Sequence, residues 1–320
     1  MKAMVARQFG GPEVLRLEEV PDLKPGKGQV LIRLKAAGIN PVDAYILSGT
    51  YTRMPALPYT PGMDGAGLVE GLGEGVTSHK VGDRVYVESA LTGTFAEFCL
   101  ADHRSVHPLP SNATFAQGAA LGVPYATAHR ALFGKARAQK GEKVLVHGAS
   151  GGVGTAAVQL AKDAGLKVLA TAGTLEGLRQ VKDQGADGTF NHKAPDYLAK
   201  ILEATEGQGV DVILEMAAHV NLGKDLSLLS KKGRVVVIGS RGPVEVNPRD
   251  LMGRDGEVLG MTLFNVPLEE KGLIHQDLVR GLERGALKPV VGKEFLLSYA
   301  SQAMARVLEP GAQGKIVLVP

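Results

Sequence analysis

The chain has 320 residues, room for two domains of ordinary size that each bury a core of their own. Its 44% hydrophobic content is that of a globular protein, and its formal net charge of only +3, with no long basic run, makes nucleic acid an unlikely partner. No apolar run reaches membrane-spanning length, the start MKAMVARQFGGPEV lacks the form of a signal peptide, and the single Cys99 excludes an internal disulfide framework, so a cytoplasmic protein is expected.

From Met1 to about Gly122 the sequence is mostly strand and turn. Lys2 to Arg7 reads as a short strand, and Gln29 to Ala37 alternates apolar and polar residues as a half-buried strand does. Gly65 to Leu72 and Asp83 to Glu88 read as further strands set off by glycine-bearing turns, which together predict a β-rich, barrel-like domain. Ala116 to Gly134 reads as helix interrupted by Pro124. Cys99, in the strand-like run FAEFCLAD, is read as a small buried residue ahead of a nucleophile.

After about Lys140 strands and helices alternate. VLVHGA, KVLATAG, GTFN, VDVILEMA, RVVVIGS and EVLGMTL (Glu257 to Leu263) are strand-like, with helices expected after the first, at Leu175 to Gln184, near Asp196 to Thr205 and near Leu222 to Leu229. This pattern predicts right-handed βαβ units and a doubly wound parallel sheet. A long helix (Glu269 to Arg284) and a last strand (Lys315 to Val319) close the chain. The layout expected is a β-rich domain from residues 1–123 and 264–320 and a Rossmann domain from residues 124–263.

The stretch Lys143 to Lys162, KVLVHGASGGVGTAAVQLAK, carries the chemistry. An apolar strand runs into Gly148, Gly151, Gly152 and Gly154 and then into an alanine-rich helix. A helix N-terminus presents unpaired backbone N–H groups and a positive dipole end, and glycines let a pyrophosphate approach them. The match to the dinucleotide fingerprint is A-x-G-x-x-G, with Ala149 in the first glycine's place.

FGGPEVL, NPVDAYILSGTY, LPYTPGMDGAG, VHGASGGVG, ATAGT, FNHK, NLGKDLSLLSKKGRVVVIGSRG, EVNPRDLM and GMTLF together resemble the medium-chain dehydrogenase/reductase superfamily, and within it the zinc-free quinone oxidoreductase (zeta-crystallin) family. The resemblance covers essentially the whole chain. It implies a GroES-like catalytic domain, a Rossmann cofactor domain with the active site in the cleft between them, and reduction of quinones by NADPH, often in a dimer or tetramer. The positions that match the catalytic zinc ligands of related alcohol dehydrogenases are Asn40, Met63 and Val123, none of them a usual zinc ligand, so no metal is expected.

The second strand of the cofactor domain ends at Thr171, Ala172 and Gly173 with no acid to hold a ribose 2′-hydroxyl or to repel a 2′-phosphate, which favours NADPH over NADH. By resemblance, Gly173 and His192 lie beside that phosphate, though His192 and Lys193 also fit a solvated loop. Gly177 stands where some related reductases carry a lysine. Ser150, Gly151, Gly152 and Val153 would bind the pyrophosphate. Asn221, Ile238, Gly239, Ser240, Arg241, Met261, Thr262 and Leu263 would line the nicotinamide half, although Gly239 equally fits a structural turn. Lys315 either reaches the cofactor or is a surface lysine.

For catalysis the candidates are Asn40, Tyr45 and Tyr51, hydrogen-bonding an acceptor that becomes anionic on reduction, with Tyr45 also resembling a nicotinamide-side contact of the family. Tyrosines near turns also simply pack. A second enzymatic reading is NADPH-dependent reduction of an activated C=C bond in an enal, enone or enoyl thioester, and a third is an NADPH-binding structural or RNA-binding protein. The apolar edge segment GEVLGMTL invites pairing with its own copy in a two-fold dimer, and with what the resemblance implies a homodimer or homotetramer is expected.

Overall fold

The computed structural model describes residues 1–320, which form two compact units: residues 1–123 with 275–320, and residues 124–274. The second crossing lies within the helix Leu268–Glu283, C-terminal to the 263/264 boundary given by the strand pattern. No helix is long and apolar enough to cross a membrane.

The first unit holds β1 (Lys2–Ala6), β2 (Leu15–Glu19), β3 (Gln29–Ile39), β4 (Asp64–Leu72), β5 (Arg84–Val87), β6 (Phe98–Asp102) and β7 (Val106–Pro108). The second holds β8 (Lys143–Val146), β9 (Lys167–Ala172), β10 (Gly188–Asn191), β11 (Val210–Glu215), β12 (Leu229–Val237) and β13 (Glu257–Gly260), after which β14 (Val291–Leu296) and β15 (Lys315–Val319) return to the first.

In the first unit one sheet runs β14-β15-β3-β4-β5-β7, with β6 also on β3, and β1 pairs β2 separately. The long β3 organises it, since its alternating residues Val30, Ile32 and Leu34 point into a core with Val69, Val85 and Cys99. Burial pushes the Cys99 thiol up to about 12, so it stays protonated and inert at neutral pH. Antiparallel pairing of β15 with β3 sets Ile316 opposite Ile39, and this register brings the last strand to the start of α1 (Pro41–Leu47). A second core of Ile39, Leu47, Phe95, Leu297, Met304 and Leu318 lies beneath it. Each such side chain contributes ~1.5–3 kcal/mol on burial.

Between residues 115 and 135 the chain forms α2 (Phe115–Gly118), α3 (Gly122–His129) and a wider turn Arg130–Lys135. The helix expected to break at Pro124 therefore breaks at Ala119 to Leu121. Pro124 sits in the first turn of α3, where a missing N–H removes no intrahelical bond.

The second unit is a six-stranded, all-parallel sheet in the order β10-β9-β8-β11-β12-β13, the doubly wound order expected. Its helices α4 (Gly152–Asp163), α5 (Leu175–Asp183), α6 (Tyr197–Ala204) and α7 (Ala218–Leu228) connect the strands. Val144, Leu145, Val146, Ile213, Leu214, Val235 and Val236 are fully buried, as strands covered on both faces must be. Small residues on α4 (Ala156, Ala157, Ala161) let that helix lie close on the sheet. The segment Glu257 to Leu263 is strand only over β13; from Leu263 to Asn265 it turns, with the Thr262 hydroxyl accepting the Phe264 N–H.

Candidate functional site

In the second unit the predicted cofactor residues gather at the C-terminal ends of the parallel strands, the edge where open α/β sheets bind ligands. β8 ends at Val146; Gly148 turns the chain with φ of 58°, and Gly151, extended, caps α4. Gly154 sits on the loop so closely that a Cβ there would lie 2.5 Å from Ala149 Cα and 2.5 Å from the Gly148 carbonyl oxygen. The first turn of α4 (Gly152, Val153) thus offers unpaired N–H groups with no side chain over Gly151 or Gly152, and Ser150 is buried beside it. Such a helix N-terminus, open over two glycines, is suited to an anionic group.

At the end of β9, a Cβ on Gly173 would lie 2.6 Å from His192 Nε2 and 3.2 Å from Lys193 Cε, so this glycine is where a histidine and a lysine close over the strand end. His192 is exposed, and the desolvation its ring does undergo holds its imidazole below its ordinary pKa. Thr174 caps α5 by accepting the Gly177 N–H at 3.0 Å. A Cβ on Gly177 would meet Thr174, Ala172 and Ser150 at 3.1–3.2 Å, which leaves little room there for a longer side chain.

Beyond β11 and β12, Asn221 on α7 donates from Nδ2 to Glu215 Oε1 at 3.3 Å. Ile238 and Gly239 donate their N–H groups to the Glu215 carbonyl, and a Cβ on Gly239 would lie 2.5 Å from the Met216 carbonyl oxygen. The Arg241 N–H donates to His219 Nδ1 and the Ser240 hydroxyl to the Gly242 carbonyl. Met261 N–H donates to Val237, and Arg130 holds the Thr262 carbonyl at 2.6 Å, fixing the approach to Leu263.

Beneath this edge lies a network that the sequence reading passed over. His147 Nε2 is 2.9 Å from Asp225 Oδ1 and 3.7 Å from Glu215 Oε2, and its Nδ1 is 3.3 Å from Thr171 Oγ1. All three ionisable residues are buried. Burial pushes each carboxyl up to about 7 and the imidazole down. Neither Glu215 Oε2 nor Asp225 Oδ2 takes a hydrogen bond elsewhere in the protein.

In the first unit, Asn40 caps α1 in a capping box with Asp43, whose Oδ2 accepts the Asn40 N–H at 2.8 Å. Asn40 Nδ2 donates to Asp64 Oδ2 at 2.9 Å, and Asp64 Oδ1 accepts the Val123 N–H at 2.8 Å. Lys315 completes the group: its ammonium donates to Asn40 Oδ1 and lies 3.1 Å from Asp64 Oδ2. Its side chain is only 4% exposed, so the lysine is a buried ion-pair partner and no surface group. Burial raises Asp43 to about 7 against the pull of the Asn40 N–H and the Lys315 ammonium.

Of the residues matched to zinc ligands, Asn40 and the Val123 N–H thus both bond Asp64. Met63 instead lines a cavity of about 390 Å³ with Asp43, Ile46, Tyr59, Pro61 and Leu91. Tyr45, on α1, and Tyr51, just after it, are partly buried and do not line that cavity. Tyr59 does, and its hydroxyl is buried with no hydrogen bond from the protein. Burial, with the charge of Asp43, raises its pKa, so Tyr59 keeps its proton. The sequence offered one signal for it, a tyrosine between prolines in LPYTPGM. The fold also stacks His107 on His275, ring centroids 4.0 Å apart, with Glu88 close by, a grouping no local spacing foretold.

The zinc-binding dehydrogenase family matches residues 152–276 and the alcohol dehydrogenase GroES-like domain matches residues 26–111. Quinone oxidoreductase of Rattus norvegicus is 50% identical over 321 residues, covering 100% of this chain and 98% of the rat protein. Among solved structures, an NAD-dependent alcohol dehydrogenase superposes with a TM-score of 0.94 at 30% identity, covering 100% of both chains. A mycobacterial protein complexed with NADPH superposes with a TM-score of 0.90 at 32% identity, again over 100% of both. One of these two nearly equal superpositions is NAD-dependent and the other holds NADPH, so the choice between NAD and NADP rests on the residues at the end of β9 and not on the fold.

Proposed function

Since the chain belongs to the quinone oxidoreductase family of medium-chain dehydrogenases/reductases, we propose that it reduces quinones with NADPH, without a metal ion. The observation that carries the cofactor choice is Gly173, closed over by His192 and Lys193 with no acid among Thr171, Ala172 and Gly173 at the end of the strand, an arrangement that suits a 2′-phosphate. Ser150 to Val153 hold the pyrophosphate. Asn221, Ile238 to Arg241 and Met261 to Leu263 orient the nicotinamide half.

Bound there, NADPH supplies the reducing electrons. The protein's part is to hold the acceptor and stabilise the oxygen on which negative charge develops. Asn40, Tyr45 and Tyr51 remain donors for that oxygen. To them the cavity adds Tyr59, a protonated phenol in the wall of a space large enough for a small ring. Lys315 fixes the Asn40 amide and sets its buried ammonium beside a residue that resemblance matches to a zinc ligand of related alcohol dehydrogenases. Purified protein is expected to oxidise NADPH many times faster with 1,4-benzoquinone than without it, unchanged by a chelator, with NADPH preferred to NADH about tenfold in KM, or ~1.4 kcal/mol. Tyr59→Phe should lower kcat. Quinone-independent oxidation, or loss of rate on chelation, would refute this reading.

We also propose a two-fold homodimer in the cytoplasm, joined through β13. That strand is the free edge of the parallel sheet, with Val258 41% exposed on it. Light scattering on a size-exclusion column should give twice the chain mass; a monomer mass at micromolar concentration would contradict it.

A further inference from the structure

The buried network under the cofactor edge links groups that are far apart in sequence. From one end, the Gly148 N–H donates to Thr171 Oγ1, which faces His147 Nδ1; His147 Nε2 faces Asp225, and Glu215 stands next to both. At the other end Glu215 Oε1 accepts the Ala217 N–H and the Asn221 amide. One oxygen of each carboxyl and one ring nitrogen of His147 lie within 4.8 Å of one another. Two adjacent buried carboxylates beside a neutral imidazole are costly unless a proton sits among them, and one shared by the Glu215 and Asp225 carboxyls, each of which has an oxygen with no hydrogen bond from the protein, relieves that cost.

We propose that His147, Glu215 and Asp225 are positioning residues for NADPH, tying the Gly148 loop to Asn221 through a shared proton, and that binding the dinucleotide draws a proton from solvent into this network. The inference rests on the NADPH reading above. Its logic is electrostatic. Phosphates held at the N-terminus of α4 would put negative charge on the loop that begins at His147, and in a buried, weakly screened setting this raises the proton affinity of the groups in the network. Carboxyls poised near pH 7 are the ones that respond. Other titratable groups face the network from neighbouring elements: His192 after β10, Tyr197 on α6 and Lys224 on α7.

The sign follows. The network is loaded below about pH 7 in the free protein and is reloaded by cofactor above it, so NADPH binds more weakly as pH rises past 7, by up to tenfold per unit for one proton. The 2′-phosphate itself titrates near ~6 and would release protons on meeting cations, the opposite sign.

The test is calorimetric titration of the full chain with NADPH in MOPS and in Tris, whose different ionisation heats report protons taken up per cofactor bound. Net uptake is expected in the wild-type chain just above neutrality. It should be lost in Glu215→Gln and Asp225→Asn and kept in His192→Gln. A merely structural role for the carboxyls would weaken binding in the amide variants without changing the proton count. No uptake in the wild-type chain, uptake that survives both amide variants, or uptake lost only in His192→Gln would each overturn the proposal. A wild-type chain that binds no NADPH at all would take down the functional reading, and the inference with it.

Discussion

Gly154→Ala should weaken NADPH binding about a hundredfold, or ~2.7 kcal/mol, measured by nicotinamide fluorescence. The added Cβ would fall 2.5 Å from Ala149 Cα, 2.5 Å from the Gly148 carbonyl oxygen and 2.7 Å from the Ala149 carbonyl carbon. All three are backbone atoms of the phosphate loop, so no side chain can swing aside and the loop itself has to open. Overpacking of this kind costs ~1–3 kcal/mol in folding, and the displaced N–H groups lose their aim at the pyrophosphate. Gly242→Ala is the matched control, since a Cβ there meets nothing within 4 Å and the backbone φ is not left-handed. Equal affinities in the two variants would show that the loop does not hold the cofactor.

Lys315→Met should destabilise the first unit by ~3–5 kcal/mol, the range for removing one partner of a buried ion pair. Asp64 lies fully buried, and Lys315 is the cation that faces it; without that ammonium Asp64 Oδ2 keeps only the Asn40 amide. Asp64→Asn should cost a comparable amount by stranding the lysine. The double variant should cost clearly less than the sum, with a coupling of at least ~1 kcal/mol, because the second change removes a charge that the first left unpaired. Denaturant unfolding followed separately in the two units reads this out; additive losses, or single losses below ~1 kcal/mol, would contradict the ion pair.

The parallel sheet was legible because strands covered on both faces must be apolar throughout, and VLV, VILE and RVVV say so without help from the rest of the chain. The glycine loop was legible for the same local reason: strand, glycines and helix follow one another within twenty residues. What stayed hidden was assembled by register and topology. Asn40 and Lys315 are 275 positions apart and meet because β15 pairs antiparallel with β3, which makes the lysine a buried partner of Asp64 where the sequence left a surface group open. His147, Glu215 and Asp225 come from the ends of two parallel strands and one helix, and each alone looks like a polar residue at a strand end or on a helix face. Glu215 did carry a signal, an acid inside the apolar run VILEMAA, where an unpartnered carboxylate would be costly. Tyr59 lacked one that outweighed its neighbours, since a cavity wall is a property of the folded loops 58–63 and 90–93 and not of either stretch.

The central claim is that NADPH held by the second unit is consumed by a quinone. A single-turnover experiment asks this most directly: protein preloaded with one equivalent of NADPH is mixed with excess 1,4-benzoquinone in a stopped-flow cell, and the nicotinamide absorbance is followed. The account predicts complete loss of that absorbance, faster than for free NADPH with the same quinone and slowed in Gly154→Ala as cofactor leaves the loop. Bound NADPH that persists through the mixing, or decays no faster than free NADPH, would contradict it.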